Sequence, residues 1–130
     1  METNDLMIGD YFRFFGDLVR IIGISEDDVF VIREDVEQKD IVDAGKLEPI
    51  PITKEFLEKN GFESIAPPIS QFRWISDDER TEVVLHSSCL SVIKNLGYED
   101  EEEFVLPLPA YVHELQYAMR LMGIEEEIAL

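Results

Sequence analysis

The stretch on which the predicted fold rests reads Ala110-Tyr111-Val112-His113-Glu114-Leu115-Gln116-Tyr117-Ala118-Met119-Arg120-Leu121-Met122-Gly123. Pro109 stands just before it, and because a proline pushes the preceding residue into an extended conformation, we expect a helix that begins at or after Pro109. Gly123 is expected to end the helix in a left-handed conformation, with Ile124 folding back onto the apolar face. Spacings of three and four predict that one face is buried, formed by Tyr111, Val112, Leu115, Ala118, Met119 and Met122.

The opposite side of the predicted helix carries a polar stripe, formed by His113, Gln116, Tyr117 and Arg120. His113-Glu114 matches the first half of the metalloprotease motif H-E-x-x-H. Tyr117 replaces the second histidine of that motif, so the sequence predicts neither a metal ligand nor a catalytic residue here. Two interpretations stay open: the stripe is the site of a small enzyme, or His113 and Gln116 bond the backbone of a neighbouring loop.

The charge of the chain argues against nucleic-acid binding. Its net charge is −18, from 29 acidic and 11 basic residues. Proteins that bind nucleic acid neutralise phosphates with Lys and Arg, whereas the basic residues here are few and scattered. We therefore expect no direct contact with nucleic acid. The acidic surface either only favours solubility or mimics DNA toward a basic protein partner.

Missing motifs exclude further classes of function. The sequence has no phosphate-binding glycine loop, no dinucleotide fingerprint and no serine-hydrolase elbow, so we expect no cofactor. Cys89 is the only cysteine, which excludes an internal disulfide and fits a reducing cytoplasm. His86 and Cys89 are three residues apart, a spacing that would place them on opposite faces of a strand, and Cys89 is predicted to be a small buried residue. No signal peptide and no apolar run of ~20 residues is visible, so we expect a cytoplasmic protein without membrane contact.

The first half of the chain predicts a small β structure. The runs Tyr11–Phe15 and Leu18–Ile24 read as strands joined by Gly16-Asp17, with glycine at the first central position of a type II′ turn. A third strand is expected at Val29–Arg33, followed by a polar loop up to Asp40 and short strands on both sides of a glycine. We therefore expect an N-terminal SH3-like small β-barrel or a curled antiparallel sheet.

The remaining chain predicts an α+β half. Thr53 is expected to cap a short helix, Lys54–Lys59, that ends at Asn60-Gly61 and closes a first module of residues 1–63. Residues 64–130 form the second half, which begins with an irregular connection as far as Ser70. There we expect a second antiparallel hairpin or sheet packed by the C-terminal amphipathic helix. The two halves are also compatible with one compact domain.

One aromatic cluster stands out as a candidate interaction surface, formed by Tyr11, Phe12, Phe14 and Phe15. Because neighbouring residues of a strand point to opposite faces, these side chains cannot all face a single-sided core. Either barrel closure buries both sides of the strand, or some of the rings lie in a binding groove or a dimer surface.

Three segments carry recognisable motifs: D-L-M-I-G-D-Y at 5–11, I-P-I-T-K-E-F-L-E-K-N-G-F at 50–62 and Y-V-H-E-L-Q at 111–116. Together they resemble a family of small uncharacterised bacterial proteins, also found in phage-like and mobile elements. Its pattern is L-x-I-G-[ND], then I-P-[IL]-T-x-x-x-L-x-x-x-G-F, then [YV]-[VL]-H-x-L-Q. Members often have Leu-Tyr and a Thr-Gly turn further on, where this chain has Tyr117-Ala118 and Met122-Gly123. The family has no established activity, so the resemblance implies an architecture and no mechanism.

These observations favour a non-enzymatic protein-interaction module whose ligand is a protein partner or a second copy of the chain. The first alternative is a small enzyme with a site around the polar stripe of the C-terminal helix. The second alternative is an acidic DNA mimic that inhibits a nucleic-acid-binding protein.

Overall fold

The computed structural model describes residues 6–26, 28–34, 37–65, 71–124 and 128–130. Within them the chain forms two antiparallel β-sheets and two α-helices, which confirms the predicted α+β class. The chain divides into two compact units. The first unit comprises Met1–Pro51 with Tyr111–Tyr117, and the second comprises Ile52–Ala110 with Ala118–Leu130.

The first unit contains a four-stranded sheet in the order β1-β2-β3-β4. Its strands are β1 (Tyr11–Phe14), β2 (Asp17–Ile24), β3 (Asp28–Arg33) and β4 (Gln38–Asp43). Side chains alternate along the two central strands, and four inward-facing ones are fully buried: Val19 and Ile21 on β2, Val29 and Val31 on β3.

Strand β4 begins earlier than the sequence predicts, because Gln38–Asp40 is paired chain rather than loop. Gln38 pairs with Arg33, and Nε of Arg33 donates to Oδ2 of Asp40 at 2.9 Å. Polar residues are acceptable in this position because β4 is an edge strand, where charged side chains also discourage pairing with other chains.

The β1–β2 hairpin turns at Phe15-Gly16, so the predicted type II′ turn at Gly16-Asp17 is wrong. Phe15 and Gly16 both have positive φ, +49° and +86°, as a type I′ turn requires. The strand register explains the shift. Phe12 lies opposite Val19 with both side chains fully buried, and a slip by one residue would turn Phe12 toward solvent.

After β4 the chain makes a short 3₁₀ turn, Ala44–Lys46, in which the carboxylate of Asp43 accepts a hydrogen bond from the backbone N–H of Gly45 at 2.9 Å. The chain then reaches the outer edge of β1. There the N–H of Arg13 donates to the carbonyl of Glu48 at 2.9 Å, and the N–H of Glu48 donates back at 2.8 Å. In the described residues β1 and β4 do not pair with each other, so the sheet is open rather than a closed barrel.

The second unit contains a five-stranded meander in the order β5-β6-β7-β8-β9. Its strands are β5 (Glu63–Ile65), β6 (Gln71–Ile75), β7 (Thr81–Leu85), β8 (Cys89–Lys94) and β9 (Glu102–Pro107). This sheet agrees with the antiparallel hairpin or sheet predicted for the second half. The sequence leaves open whether Leu90–Lys94 is a strand or a short helix, and it does not predict the short β5. Most of the irregular connection predicted as far as Ser70 falls on residues 66–70, which lie outside the described residues.

Helix α1 spans Lys54–Lys59, as predicted. The hydroxyl of Thr53 accepts a hydrogen bond from the N–H of Phe56 at 3.1 Å, and Gly61 has a φ of +86° just beyond the helix end. These local signals confirm the predicted cap and the predicted end. The compact units place α1 with the second sheet, whereas the sequence grouping of residues 1–63 placed it with the first.

Helix α2 spans Val112–Leu121, and the division between the units falls inside it. Gly123 has a φ of +73°, and the N–H of Ile124 donates to the carbonyl of Met119 at 2.8 Å. This is a Schellman motif, and Ile124 is buried, so the predicted helix end is confirmed. Tyr111 departs from the predicted buried face: it precedes the helix, bridges to Pro51 and is 38% exposed. No helix in the described part of the chain has the length and apolar character needed to cross a membrane.

Candidate functional site

Within the polar stripe of α2, the side chain of Gln116 is buried, with 7% exposure. Its Oε1 accepts a hydrogen bond from the backbone N–H of Tyr11 at 3.1 Å. Its Nε2 donates to the backbone carbonyl of Gly9 at 3.0 Å. The amide therefore bonds backbone on both sides of Asp10, which for Gln116 fits the interpretation that the stripe bonds the backbone of a neighbouring loop.

The segment held by Gln116 is a turn that leads into β1. The N–H of Asp10 donates to the carbonyl of Met7 at 3.1 Å, and the carboxylate of Asp10 accepts from the N–H of Met7 at 2.9 Å. Gly9 has a φ of +96°, which a side chain would strain. The turn is also bonded to β2, since the N–H of Gly9 donates to the carbonyl of Ile21 at 2.8 Å. Asp10 is 1% exposed, so its carboxylate belongs to the turn and not to an open site.

The N-terminus of α2 is hydrogen-bonded to Ile50, which follows the first sheet in the chain. The N–H of Val112 donates to the carbonyl of Ile50 at 2.8 Å. The carboxylate of Glu114 accepts from the N–H of Tyr111 at 3.0 Å, which is half of a capping box. The glutamate that suggested a metalloprotease is thus a helix cap.

All three sequence motifs quoted above meet in these contacts. We call Gly9, Tyr11, Ile50, Val112 and Gln116 the motif junction, because each motif contributes at least one of them. The junction contains backbone groups, one carboxamide and apolar side chains. Its chemistry is that of a clamp that holds the entry to β1, because both ends of the amide are already bonded within the protein.

The other stripe residues are placed differently. His113 is half-buried, and its ring centroid lies 4.7 Å from that of Phe12 and 6.0 Å from that of Tyr111. Tyr117 is 52% exposed. Arg120 is half-buried and lies in the part of α2 that belongs to the second unit. Within the first unit the structure therefore brings together His113 and Gln116, and it leaves Tyr117 on the surface.

The aromatic cluster on β1 is split between core and surface. Phe12 is fully buried and Phe14 packs against the same core. Tyr11 is half-buried, and Phe15 is 76% exposed at the hairpin turn. The rings of Phe14 and Phe15 meet edge to face with centroids 4.6 Å apart. The exposed part of the candidate surface is therefore centred on Phe15.

A serine–histidine pair in the second unit was not predicted from the sequence. Nε2 of His86 lies 2.9 Å from Oγ of Ser91. Such a pair is the geometry of an activated nucleophile, but Ser91 is only 3% exposed and a substrate could not reach its hydroxyl. The pair satisfies a buried polar group instead. Only the β7–β8 register, in which Leu85 pairs with Leu90, brings residues five apart so close.

His86 and Cys89 do not share a strand, so they do not lie on opposite faces of one, and Cys89 is half-buried rather than buried as predicted. His86 follows β7 and Cys89 begins β8, so the chain reverses between them. The N–H of His86 donates to the carbonyl of Cys89 at 2.8 Å. In the described ranges no group of three or more His, Cys, Asp and Glu side chains is arranged to hold a metal ion.

The acidic side chain of Asp78 has a shifted pKa. The hydroxyl of Ser76 donates to the carboxylate of Asp78 at 2.6 Å, and the N–H of Arg80 donates to the same oxygen at 3.1 Å. These bonds lower the pKa of Asp78, because they favour its charged form. The three residues form the β6–β7 turn, so the shift reports turn structure rather than acid–base chemistry.

Comparison with models of known families, with curated proteins and with solved structures finds no match. The resemblance to the small bacterial family therefore stays a prediction. The function has to be argued from the surfaces and contacts of the chain.

Proposed function

We propose that this chain is a non-enzymatic protein-interaction module that presents the tip of its β1–β2 hairpin to a protein partner. The observation that carries the proposal is Phe15, a large aromatic side chain that is 76% exposed in a left-handed backbone conformation. Bulky residues rarely adopt positive φ, and such strain is characteristic of functional positions.

The turn sequence supports a binding role, because Asn would suit the first central position of the turn better than Phe15 does. A type I′ turn favours Asn followed by Gly, and the chain already has Gly16 in the second place. Phe15 instead adds exposed apolar surface, and its contact with Phe14 orients the ring at the tip. Aromatic anchors of this kind dominate the binding energy of many protein interfaces.

We further propose that the first unit is an SH3-like open barrel. Four antiparallel strands are followed by a 3₁₀ turn, after which the chain reaches the free edge of β1 at Glu48. This arrangement supports the proposal because it places a fifth segment beside β1, the strand that carries the aromatic residues. Barrels of this type serve many binding functions, so the fold is compatible with the module and does not identify its ligand.

The cytoplasm is the proposed location, supported by the single cysteine. Membership of the small bacterial family is proposed from the three motifs, and their meeting at the motif junction supports it. A clamp at this place explains why glycine, glutamine and an isoleucine-proline pair would occur together in such a pattern.

The proposal is tested with Phe15→Asn, which creates the Asn-Gly pair of a type I′ turn. We expect the variant to be more stable by about 1 kcal/mol, because the strain at Phe15 is relieved. We also expect it to lose the partner that the unmodified protein captures from extract of the native cells. Urea unfolding and quantitative capture measure the two effects.

The matched control is Ile8→Asn, since Ile8 belongs to the same unit and is 63% exposed. It should leave capture unchanged. Equal capture by Phe15→Asn and the unmodified protein would rule out the hairpin tip as the contact. If the captured partner is a second copy of the chain, sedimentation will show a dimer that Phe15→Asn dissociates.

A further inference from the structure

The second sheet ends in an edge strand, β9, whose charged residues and proline lie only at its two ends. It pairs along its whole length with β8, from Lys94 opposite Glu102 to Cys89 opposite Pro107, without a register shift. Within the described residues β8 is its only strand partner. One edge of β9 therefore presents backbone N–H and C=O groups that a further strand could pair with.

Both faces of β9 are exposed to solvent, unlike those of its neighbour. Phe104 is 36% exposed and Val105 is 64% exposed. Their partners on β8, Val92 and Ser91, are almost completely buried. Exposed apolar side chains on an edge strand invite pairing with another chain unless a charge or a proline interrupts them. The centre of β9, Phe104–Leu106, contains neither.

The chain ahead of β9 is acidic and held in place. Glu99–Glu103 is an uninterrupted acidic run, whose last two residues begin the strand. The carboxylate of Asp100 accepts from the side chain of Asn95 at 3.2 Å, and that of Glu101 accepts from the N–H of Gly97 at 3.0 Å. These bonds order the loop before β9, which reduces the entropy cost of adding a strand.

We propose that the free edge of β9 binds an extended segment of another protein in which apolar residues alternate and Lys or Arg residues follow them. Pairing would supply main-chain hydrogen bonds, as in other cases of strand addition. In the antiparallel direction the apolar residues lie beside Phe104–Leu106, and the basic residues that follow lie beside Glu102 and Glu103. The net charge of −18 favours such a basic segment over a second copy of the chain, which would carry the same charge.

This surface belongs to the second unit and does not depend on the hairpin tip proposed above for the first. The two proposals are therefore separable by variants. Val105→Lys places a charge in the centre of the edge and should block strand addition. Ile41→Lys is the matched control, because Ile41 is 63% exposed, lies on the edge strand of the other sheet and receives the same change of charge.

The experiment pans a phage-displayed library of random peptides on the full chain at physiological ionic strength. We expect the enriched peptides to carry apolar residues followed by Lys or Arg. Synthetic copies should bind Val105→Lys more weakly by about tenfold or more, equivalent to ~1.4 kcal/mol. The double variant Glu102→Lys/Glu103→Lys should weaken binding similarly, while Ile41→Lys and Phe15→Asn should bind like the unmodified protein. Backbone amide shifts on peptide addition should be centred on β9.

Three results would overturn the inference. The first is that no peptide of this chemistry is enriched. The second is that enriched peptides bind Val105→Lys and Ile41→Lys equally, which would indicate attraction to the overall negative charge. The third is a dimer of the unmodified chain that Val105→Lys dissociates, which would assign the edge to a second copy. Each of these leaves the proposal about Phe15 to its own test.

Discussion

The edges of the two sheets differ. In the first sheet the edge of β1 is bonded to Glu48, and the edge strand β4 carries Lys39, Asp40 and Asp43. In the second sheet β5 has only three residues, whereas β9 has six with an apolar centre. Bonded, charged or very short edges avoid unwanted pairing. Among the described strands, three of the four sheet edges are bonded, charged or very short, and β9, with its apolar centre, is the exception and the place to look for a partner.

The same contrast appears in long-range hydrogen bonding. The motif junction bonds Gln116 to residues 105 and 107 positions away in the chain. The β6–β7 and β8–β9 connections of the second sheet are held by side-chain bonds between residues at most five apart, and by a backbone bond from the N–H of Leu96 to the carbonyl of Arg80. We therefore expect single substitutions to affect the first unit more strongly than the turns of the second.

The largest effect is expected for Leu115→Ala. Leu115 lies in the first unit and is fully buried, so its truncation should lower the free energy of unfolding by ~2–5 kcal/mol through lost burial and a cavity. Urea or thermal unfolding measures it. The control is Leu121→Ala on the same helix, where 58% exposure predicts a change within about 0.5 kcal/mol. An unchanged melting temperature for Leu115→Ala would contradict the core assignment.

The next effect tests the motif junction itself. Gln116→Ala leaves the N–H of Tyr11 and the carbonyl of Gly9 without their side-chain partner, which should cost about 1–3 kcal/mol. Gln116→Glu keeps an acceptor for Tyr11 but loses the donor to Gly9, and should also destabilise. Amide hydrogen exchange at Tyr11 should speed up in Gln116→Ala relative to Tyr117→Ala. Equal exchange in the two variants would show that the clamp does not hold β1.

A smaller effect on stability is expected when an ion pair is removed from either sheet. In the first sheet Nη1 of Arg33 lies 2.8 Å from Asp17, and Nε lies 2.9 Å from Asp40. In the second sheet Arg73 and Glu82 are 4.0 Å apart. Arg33→Met should cost roughly 0.5–1 kcal/mol, and Arg73→Met less, because partly exposed pairs contribute little.

Both ion-pair variants change the net charge equally, so general repulsion in this acidic protein cancels from the comparison. The difference between them should shrink in high salt, since screening weakens exposed pairs. Urea unfolding at two salt concentrations measures it. A larger loss of stability for Arg73→Met than for Arg33→Met would contradict the prediction that the ion pairs of the first sheet contribute more.

The smallest effect concerns the β6–β7 turn and pH. Because hydrogen bonds from Ser76 and Arg80 lower the pKa of Asp78 in the folded state, its carboxylate adds stability at pH above the ordinary aspartate pKa. This contribution is lost as the pH falls through the lowered value. Asp78→Asn should therefore melt slightly below the unmodified protein at neutral pH, and the gap should close in acid. A gap that persists in acid would assign the effect to geometry rather than charge.

The two helices show how far local sequence signals reach. Thr53 and Gly61 define α1, and Gly123 with Ile124 ends α2, because caps are made by residues within one turn of the helix. The strands were located mainly from β-prone runs and turn residues. β4 is longer than predicted because an edge strand tolerates polar residues that otherwise indicate a loop.

The hairpin turn and the polar stripe show where local signals stop. A glycine before an aspartate favours a type II′ turn locally, but the core requires Phe12 to face inward, and this moves the turn to Phe15. The stripe of α2 reads as one surface in a helical projection. In the fold Gln116 is buried, Tyr117 is exposed and Arg120 lies in the second unit.

By itself, the sequence determined the α+β class, both helices with their ends and most of the strands, because these depend on backbone preferences and on the spacing of apolar residues. Only the tertiary structure decided the strained position of Phe15, the clamp made by Gln116, the contact of His86 with the buried Ser91 and the unpaired edge of β9. Each of these depends on strand register or on contacts between segments distant in the chain. The residues of a short segment do not by themselves specify which distant segments it contacts.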